Sequence, residues 1–152
     1  MAHSALANWL RTRAEGAKLD PSVVVNAVPY AQMLGVRAIL AGGALTAELP
    51  FKPELIGNPR LPALHGGVIG SFLETAAIVE LIYANNGEIM PKTVNLTIEY
   101  LRSGKPEDLY ATTEITKQGR RVATVRVTAW QSDRTKPVAT AHGNFLMDAI
   151  EI

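Results

Sequence analysis

The segment from Val68 to Ile82 is apolar apart from glycine and four polar positions: Ser71, Glu74, Thr75 and Glu80. At about 100° per residue of α-helix, Ser71, Glu74 and Thr75 share one narrow stripe, and Glu80 falls nearly opposite. A helix this apolar must be wrapped on most sides, so the stripe must face a cleft, a partner subunit or a ligand. A carboxylate is costly to ionise in such a place, and one that takes up a proton readily is what general base catalysis needs. The competing reading is an ion pair between Glu74 and an arginine that only holds the fold together.

Immediately upstream stand His65, Gly66 and Gly67. Paired glycines let a ligand approach the backbone closely. The first-turn amides of a helix have no partner within it, and the helix dipole favours negative charge there. A carbonyl polarised at that end and a carboxylate one to two turns downstream are the two elements of an acyl-transfer site. The plainer alternative is that the glycines relieve crowding where two backbones cross.

These residues need elements to position them. Residues 5–17 read as a helix with Ser4 as N-cap; Leu6, Trp9 and Leu10 mark its apolar face, Arg11, Arg13 and Glu15 its polar one. A second segment starts at Asp20-Pro21, and residues 29–34 form a short helix ended by Gly35. Residues 36–40 and 44–49 read as strands joined at Gly42-Gly43. Four prolines and Gly57 predict that residues 50–64 are irregular, in a loop long enough to bind something. The apolar helix runs over 66–84 and stops at Asn85-Asn86-Gly87. Strands follow at 93–101, 109–117, 122–130 and 138–147, the last three in an antiparallel meander. In the first of these, alternation puts Val94, Leu96, Ile98 and Tyr100 on one side and Thr93, Asn95, Thr97 and Glu99 on the other. The simplest packing is α+β: one domain over residues 1–152, a curved antiparallel sheet wrapped round a central helix, with residues 1–30 as a helical arm.

Composition removes several classes of function. The net charge is +1, with 15 basic and 14 acidic residues dispersed along the chain, so no strong field points to nucleic acid or an anionic membrane. Without cysteine there is no disulfide, zinc–thiolate site or cysteine nucleophile. His3, His65 and His142 have no metal-ligand spacing; His3 is expected in a mobile terminus and His142 at a packed or surface position. No GxSxG elbow or phosphate-binding glycine loop is present. The N-terminal residues lack a secretory pattern, Glu15 and Asp20 argue against a transit segment, and no run approaches the roughly 18–20 apolar residues of a membrane span. A cytoplasmic protein is expected.

The stretch from His65 to Ala76 resembles the signature of the hotdog-fold thioesterases, in which His-Gly-Gly is followed by an acid nine residues after the His. It is most similar to the phenylacetate-degradation and 4-hydroxybenzoyl-CoA thioesterase branch. The similarity of element order spans roughly residues 30–148, and Thr97 to Arg102 is similar to the family's strand after the helix. The resemblance implies that the Gly66 amide polarises a thioester carbonyl and that Glu74 is nucleophile or general base. It implies that His65 fixes the loop, and that Thr75 and Ser71 position Glu74 or a water. The family often has Asn or Gln six residues before the His; Pro59 stands there, and Asn58 takes that role if the loop holds an extra residue. Ser103 stands where a proline commonly follows the family's arginine.

The resemblance further implies an acyl- or aryl-CoA substrate, with coenzyme A as part of the substrate and no other cofactor. Gly67 and Ser71, with Arg102, Arg120 and Arg121, are the candidate substrate and CoA contacts, and Lys117 is a further basic candidate; strand ends are also where solvated charges ordinarily sit. A homodimer or homotetramer whose site combines residues of two subunits is implied as well. Two alternatives stand beside hydrolysis. A non-catalytic acyl-CoA sensor would carry a DNA-binding domain, for which the arm is too short and too neutral. A hydroxyacyl-thioester dehydratase would have an acid closer to its glycine turn. The acyl group, and CoA against a carrier protein, are left open by the residues.

Overall fold

The computed structural model describes residues 3–151. Three short helices lead the chain: α1 (His3–Thr12), α2 (Pro21–Asn26) and α3 (Pro29–Leu34). The hairpin β1 (Arg37–Ala41) and β2 (Ala44–Leu49) follows, then the short strands β3 (Ile56–Asn58) and β4 (Ala63–Leu64). The long helix α4 (Gly66–Ala84) is followed by β5 (Ile89–Tyr100), β6 (Leu109–Gln118), β7 (Val122–Trp130) and β8 (Ala139–Ala149). The main sheet has the order β1-β2-β6-β7-β8-β5 and is antiparallel throughout. This is the hotdog arrangement expected from the resemblance: a sheet curved round one helix.

The core lies between α4 and the sheet. Phe72, Leu73, Val79, Leu81 and Ile82 of α4 are fully buried, as are Leu49, Leu109, Val125, Val127 and Phe145 of the strands. Burying one such side chain is worth about 1.5–3 kcal/mol, so α4 is held by packing on its sides rather than by its own propensity. By length and composition α4 would also suffice to cross a membrane, contrary to the sequence expectation that no run approaches that length. Ten of its 19 residues are buried inside the fold, which is the pattern of a soluble protein's core helix.

Local chemistry sets the element ends. Asp20 caps α2 by accepting from Ser22 N at 2.7 Å and from the Ser22 hydroxyl at 2.6 Å. Gly35 closes α3 in the left-handed region (φ +81°). Gly42 and Gly43 (φ +59° and +81°) make the two-residue turn of the first hairpin, which requires positive φ at both positions.

Three expectations change. The first helix starts at His3 and ends at Thr12 rather than running over 5–17, because Gly16 turns the chain at φ +75°. Ser4 therefore lies inside the helix and is not its N-cap; the side chains of His3 and Ser4 lie outside the described residues. The span 50–64 is not wholly irregular: Pro53–Leu55 form a 3-10 turn with proline at its start, and β3 pairs with β4. Pro59 and Pro62 fall between those two strands, where no ladder bond is required of them.

The third change concerns β5. It begins at Ile89 and carries a register shift between Thr93, opposite Phe145, and Asn95, opposite Asn144. Val94 is the extra residue of a β-bulge, so the alternation changes phase there. The Asn95 side chain stands in for regular pairing, its Oδ1 accepting from the backbone N–H and Nδ2 of Asn144, each at 3.3 Å. Gly143 makes room for the bulge, since a Cβ there would stand 2.2 Å from the Asn95 carbonyl oxygen.

Candidate active site

The stretch that opens α4 is packed tightly. His65 N donates to the Leu55 carbonyl at 2.9 Å, and Leu64 N to that of Gly104 at 2.9 Å. A Cβ on Gly57 would lie 2.7 Å from the His65 Cα, so only glycine fits where β3 crosses β4. His65 is the N-cap of α4, and its Nδ1 accepts from Gly67 N at 2.9 Å. That bond puts the ring proton of a neutral His65 on Nε2.

The same bond separates the two glycines. The Gly67 N–H is spent on His65, whereas the Gly66 N–H donates to no group among the described residues. Gly66 is exposed, and its carbonyl accepts from the Tyr100 hydroxyl at 2.7 Å. Of the two, Gly66 is the one whose N–H is unspent among the described residues. Asn58 sits at the end of β3, and its Oδ1 accepts from Arg60 N at 3.0 Å and Leu61 N at 3.4 Å. Its carbonyl oxygen thus holds the β3–β4 turn.

Farther along α4, Glu74 is half-buried and its Oε1 accepts from the Thr93 hydroxyl at 2.6 Å. No arginine pairs with it among the described residues. Simple alternation places Thr93 on the face away from Tyr100. The bulge at Val94 brings both to the α4 side of β5, Thr93 on Glu74 and Tyr100 on Gly66. Ile98 lies between them against Gly70, where a Cβ would be 2.9 Å from the Ile98 Cδ1. Periodicity hides the contact of Thr93 with Glu74, because a one-residue bulge has no periodic signature; Tyr100 and Gly70 emerge only from how β5 packs on α4.

The predicted polar stripe divides. Ser71 is half-buried, with the hydroxyl of the exposed Tyr30 on α3 at 3.4 Å. Thr75 is buried (3% exposed), and its hydroxyl donates to the Ser71 carbonyl at 2.7 Å. Its donor is therefore used within the helix. Glu80, on the far side, has its pKa raised: burial pushes it up to about 7. It is half-buried, and no hydrogen bond or ion pair to it is found among the described residues.

Gly66 and Glu74 are eight residues apart on one helix, about 12 Å along its axis. Within one chain, the Gly66 N–H and the Glu74 backbone thus stand about two helical turns apart.

The basic candidates also part company. Arg102 follows β5 at the sheet end where Tyr100 meets Gly66, and its Nε donates to the Pro137 carbonyl at 2.9 Å. Arg120 and Arg121 sit in the β6–β7 turn, with Lys117 in the last residues of β6, at the opposite end. Ala139 pairs with Ala129 at one end and Leu146 with Val122 at the other, seven residues or about 24 Å of strand apart. The three arginines cannot converge on one phosphate within a single chain. His142 is an exposed residue opposite Arg126, as expected of a surface histidine.

Known proteins match this chain. Residues 61–138 match the thioesterase superfamily. The chain is 30% identical over 131 residues to the medium/long-chain acyl-CoA thioesterase YigI of Escherichia coli, covering 76% of this chain and 84% of that protein. Its similarity to the protein of the same name from Salmonella typhimurium is 27% over 151 residues, covering 90% and 96%. Among solved structures, a Chromobacterium violaceum protein is 39% identical, with 96% of this chain and 98% of that one covered at a TM-score of 0.68. A Bacillus halodurans protein crystallised with CoA is 20% identical and shares the fold, with 97% and 91% covered at a TM-score of 0.69.

Proposed function

The chain belongs to the thioesterase superfamily, and we propose that it hydrolyses acyl-CoA thioesters with Glu74 as the reacting carboxylate and the Gly66 amide as oxyanion donor. The observation that carries this is the Glu74–Thr93 pair: a carboxylate on the central helix, half-exposed, free of any arginine and aimed by one 2.6 Å hydrogen bond. A carboxylate that only stabilised the fold would be paired. Oε1 is fixed by Thr93, and Oε2 has no partner among the described residues.

In the general-base route, Oε2 takes a proton from water as the water oxygen bonds to the thioester carbon. The carbonyl oxygen gains charge at the Gly66 N–H. Collapse breaks the C–S bond and releases the thiolate, which is then protonated. In the nucleophilic route, Oε2 itself bonds to that carbon, expels the thiolate and leaves a mixed anhydride that water opens. Both routes use the same two groups, and both end in free acid and CoA.

The 12 Å separation on α4 supports a homo-oligomeric site, with Gly66 of one copy facing Glu74 of another. β5 is the strand through which a second copy would join. It is a 12-residue edge strand whose flank exposes Val94 (61%), Tyr100 (54%) and Leu101 (49%). An edge of this length and polarity left open would invite uncontrolled pairing. A two-fold pairing of β5 with its copy closes it.

The relatives' names favour aliphatic over aryl substrates, so medium- and long-chain acyl-CoA head the panel to be tested. Free-thiol release from acyl- and aryl-CoA thioesters is expected from wild type and should fall by about 10³-fold or more in Glu74→Gln with its fold and assembly intact. Equal turnover by the two proteins would refute the role of Glu74. No turnover by wild type on any thioester, with acyl-CoA still bound, would favour a binding module instead.

A further inference from the structure

Helix α3 shows the solvent an apolar pair close to Glu74. Its Ala31 and Leu34 are buried in the core, which turns Tyr30 and Met33 outward together on the opposite face. Tyr30 is 46% exposed and Met33 61%. The helix that carries them is firmly held. Pro29 opens it and Gly35 closes it, Gln32 Nε2 donates to the Asn26 carbonyl at 2.8 Å, and Lys52 Nζ donates to the Met33 carbonyl at 3.1 Å. Two large apolar side chains presented by a fixed helix carry a cost in water that a ligand lying over them removes.

The pair adjoins the candidate site on its α3 side. The Tyr30 hydroxyl donates to Ser71 Oγ at 3.4 Å, the outer limit of a hydrogen bond, so that bond contributes little to holding the ring. Ser71 stands one turn before Glu74 on α4, a Cβ separation of about 5–6 Å. The β5 side of Glu74 is closed: Thr93 holds Oε1 at 2.6 Å, and Ile98 packs against Gly70. One turn past Glu74 stands Ile78, half-buried and apolar. A thioester whose carbon meets Oε2 therefore has its acyl chain directed to the α3 side, onto a phenol ring and a thioether. Such a surface suits a saturated chain, which has no polar group to satisfy there.

We infer that Tyr30 and Met33 form the wall on which the acyl chain of the substrate lies, and that the Tyr30 ring sets the preference for chain length. The inference rests on the acyl-CoA hydrolysis reading above. Each methylene laid on the wall should raise kcat/KM by about two- to fourfold, the lower figure for a wall open to solvent on one flank. The gain stops where the chain outgrows the wall.

Thiol-release kinetics over the saturated series from butanoyl- to decanoyl-CoA test it, beside calorimetric binding of the matching S-alkyl-CoA thioethers, which needs no turnover. Tyr30 and Met33 are exposed, so their substitution leaves the core intact. Tyr30→Ala should lower the ratio of decanoyl to butanoyl kcat/KM by about tenfold or more, and Met33→Ala should lower it in the same direction by less. Tyr30→Phe should keep the wild-type ratio, because the ring and not the hydroxyl is the wall. Equal losses at every chain length in Tyr30→Ala would overturn the assignment, as would a Tyr30→Phe profile as flat as that of Tyr30→Ala. Dissociation of the oligomer by Tyr30→Ala at an unchanged ratio would make the pair a subunit contact and overturn it too. If wild type turned over no thioester, yet bound longer thioethers more tightly and lost that trend in Tyr30→Ala, the hydrolase reading would fall and the wall would stand.

Discussion

Gly143→Ala removes no functional atom, yet it should damage both stability and turnover. A Cβ at position 143 would lie 2.2 Å from the Asn95 carbonyl oxygen, 3.0 Å from Leu96 Cδ1 and 3.1 Å from Leu96 Cα. Ordinary contact begins more than 1 Å farther out than the first of these, and two of the three obstacles are backbone, so no rotamer change relieves them. Overpacking of this kind costs about 1–3 kcal/mol; with two backbone atoms of β5 in the way the upper end applies. At roughly 2–4 °C per kcal/mol for a chain of this size, Tm should fall by about 6–12 °C. The cheaper relaxation is to lose the bulge at Val94. Residues before it then slip by one position relative to β8, and Thr93 turns away from Glu74. Turnover should therefore fall at temperatures where the variant is still folded. Scanning calorimetry and thiol-release kinetics on one preparation read both effects. A Gly143→Ala protein with wild-type Tm and wild-type kcat would show that the bulge neither needs Gly143 nor sets the position of Thr93.

Other perturbations have equally definite signs. Thr93→Val keeps the shape and removes the 2.6 Å bond to Glu74; kcat should fall by about tenfold, the low end for a hydrogen bond to a charged group because the pair is partly exposed, and Thr93→Ser should recover most of it. Glu80 has a folded pKa of about 7, above its unfolded value of 4.5, so its contribution is fully present below 4.5 and is lost as pH rises through 7. After discounting for its partial exposure, Glu80→Gln should be more stable than wild type at pH 8 by about 1–2 kcal/mol and equal to it near pH 4, as read by urea melts. Asp20 lies on the other side of the sign rule: the hydroxyl and backbone N–H of Ser22 hold its pKa down. Its stabilisation is present at neutral pH and lost in acid, and Asp20→Ala should cost about 1 kcal/mol at pH 7.

Much of this molecule is legible in the sequence because its strongest signals are periodic or conformational. α3, β2 and α4 fall at the predicted residues, since Pro29 and Gly35 bracket α3, Gly42-Gly43 ends one strand and begins another, and α4 is apolar on every side. The β6–β7–β8 meander follows from two short turns. What the sequence hid is aperiodic. One extra residue at Val94 reverses which side of β5 faces the helix, and its only written traces are Asn95 and a glycine 48 residues away. The fate of Thr75 depended on which edge of the polar stripe the sheet covers, and the buried side won. The arginines looked equivalent because strand ends at opposite edges of a sheet read alike in one dimension; only the register of β7 against β8 separates them.

Two altered subunits test the central claim together. Gly66→Pro deletes the exposed amide proton at the first helical position, where proline is tolerated and the N-cap His65 already has extended backbone (φ −61°, ψ 131°). Glu74→Gln deletes the reacting carboxylate. Each homo-oligomer should be nearly inactive. After unfolding and refolding the two together, mixed dimers should carry one intact site in two, restoring about a quarter of wild-type acyl-CoA hydrolysis if dimers assemble at random. A mixture as inactive as its parents, with mixed dimers demonstrated by mass, would contradict a site built from Gly66 of one copy and Glu74 of the other.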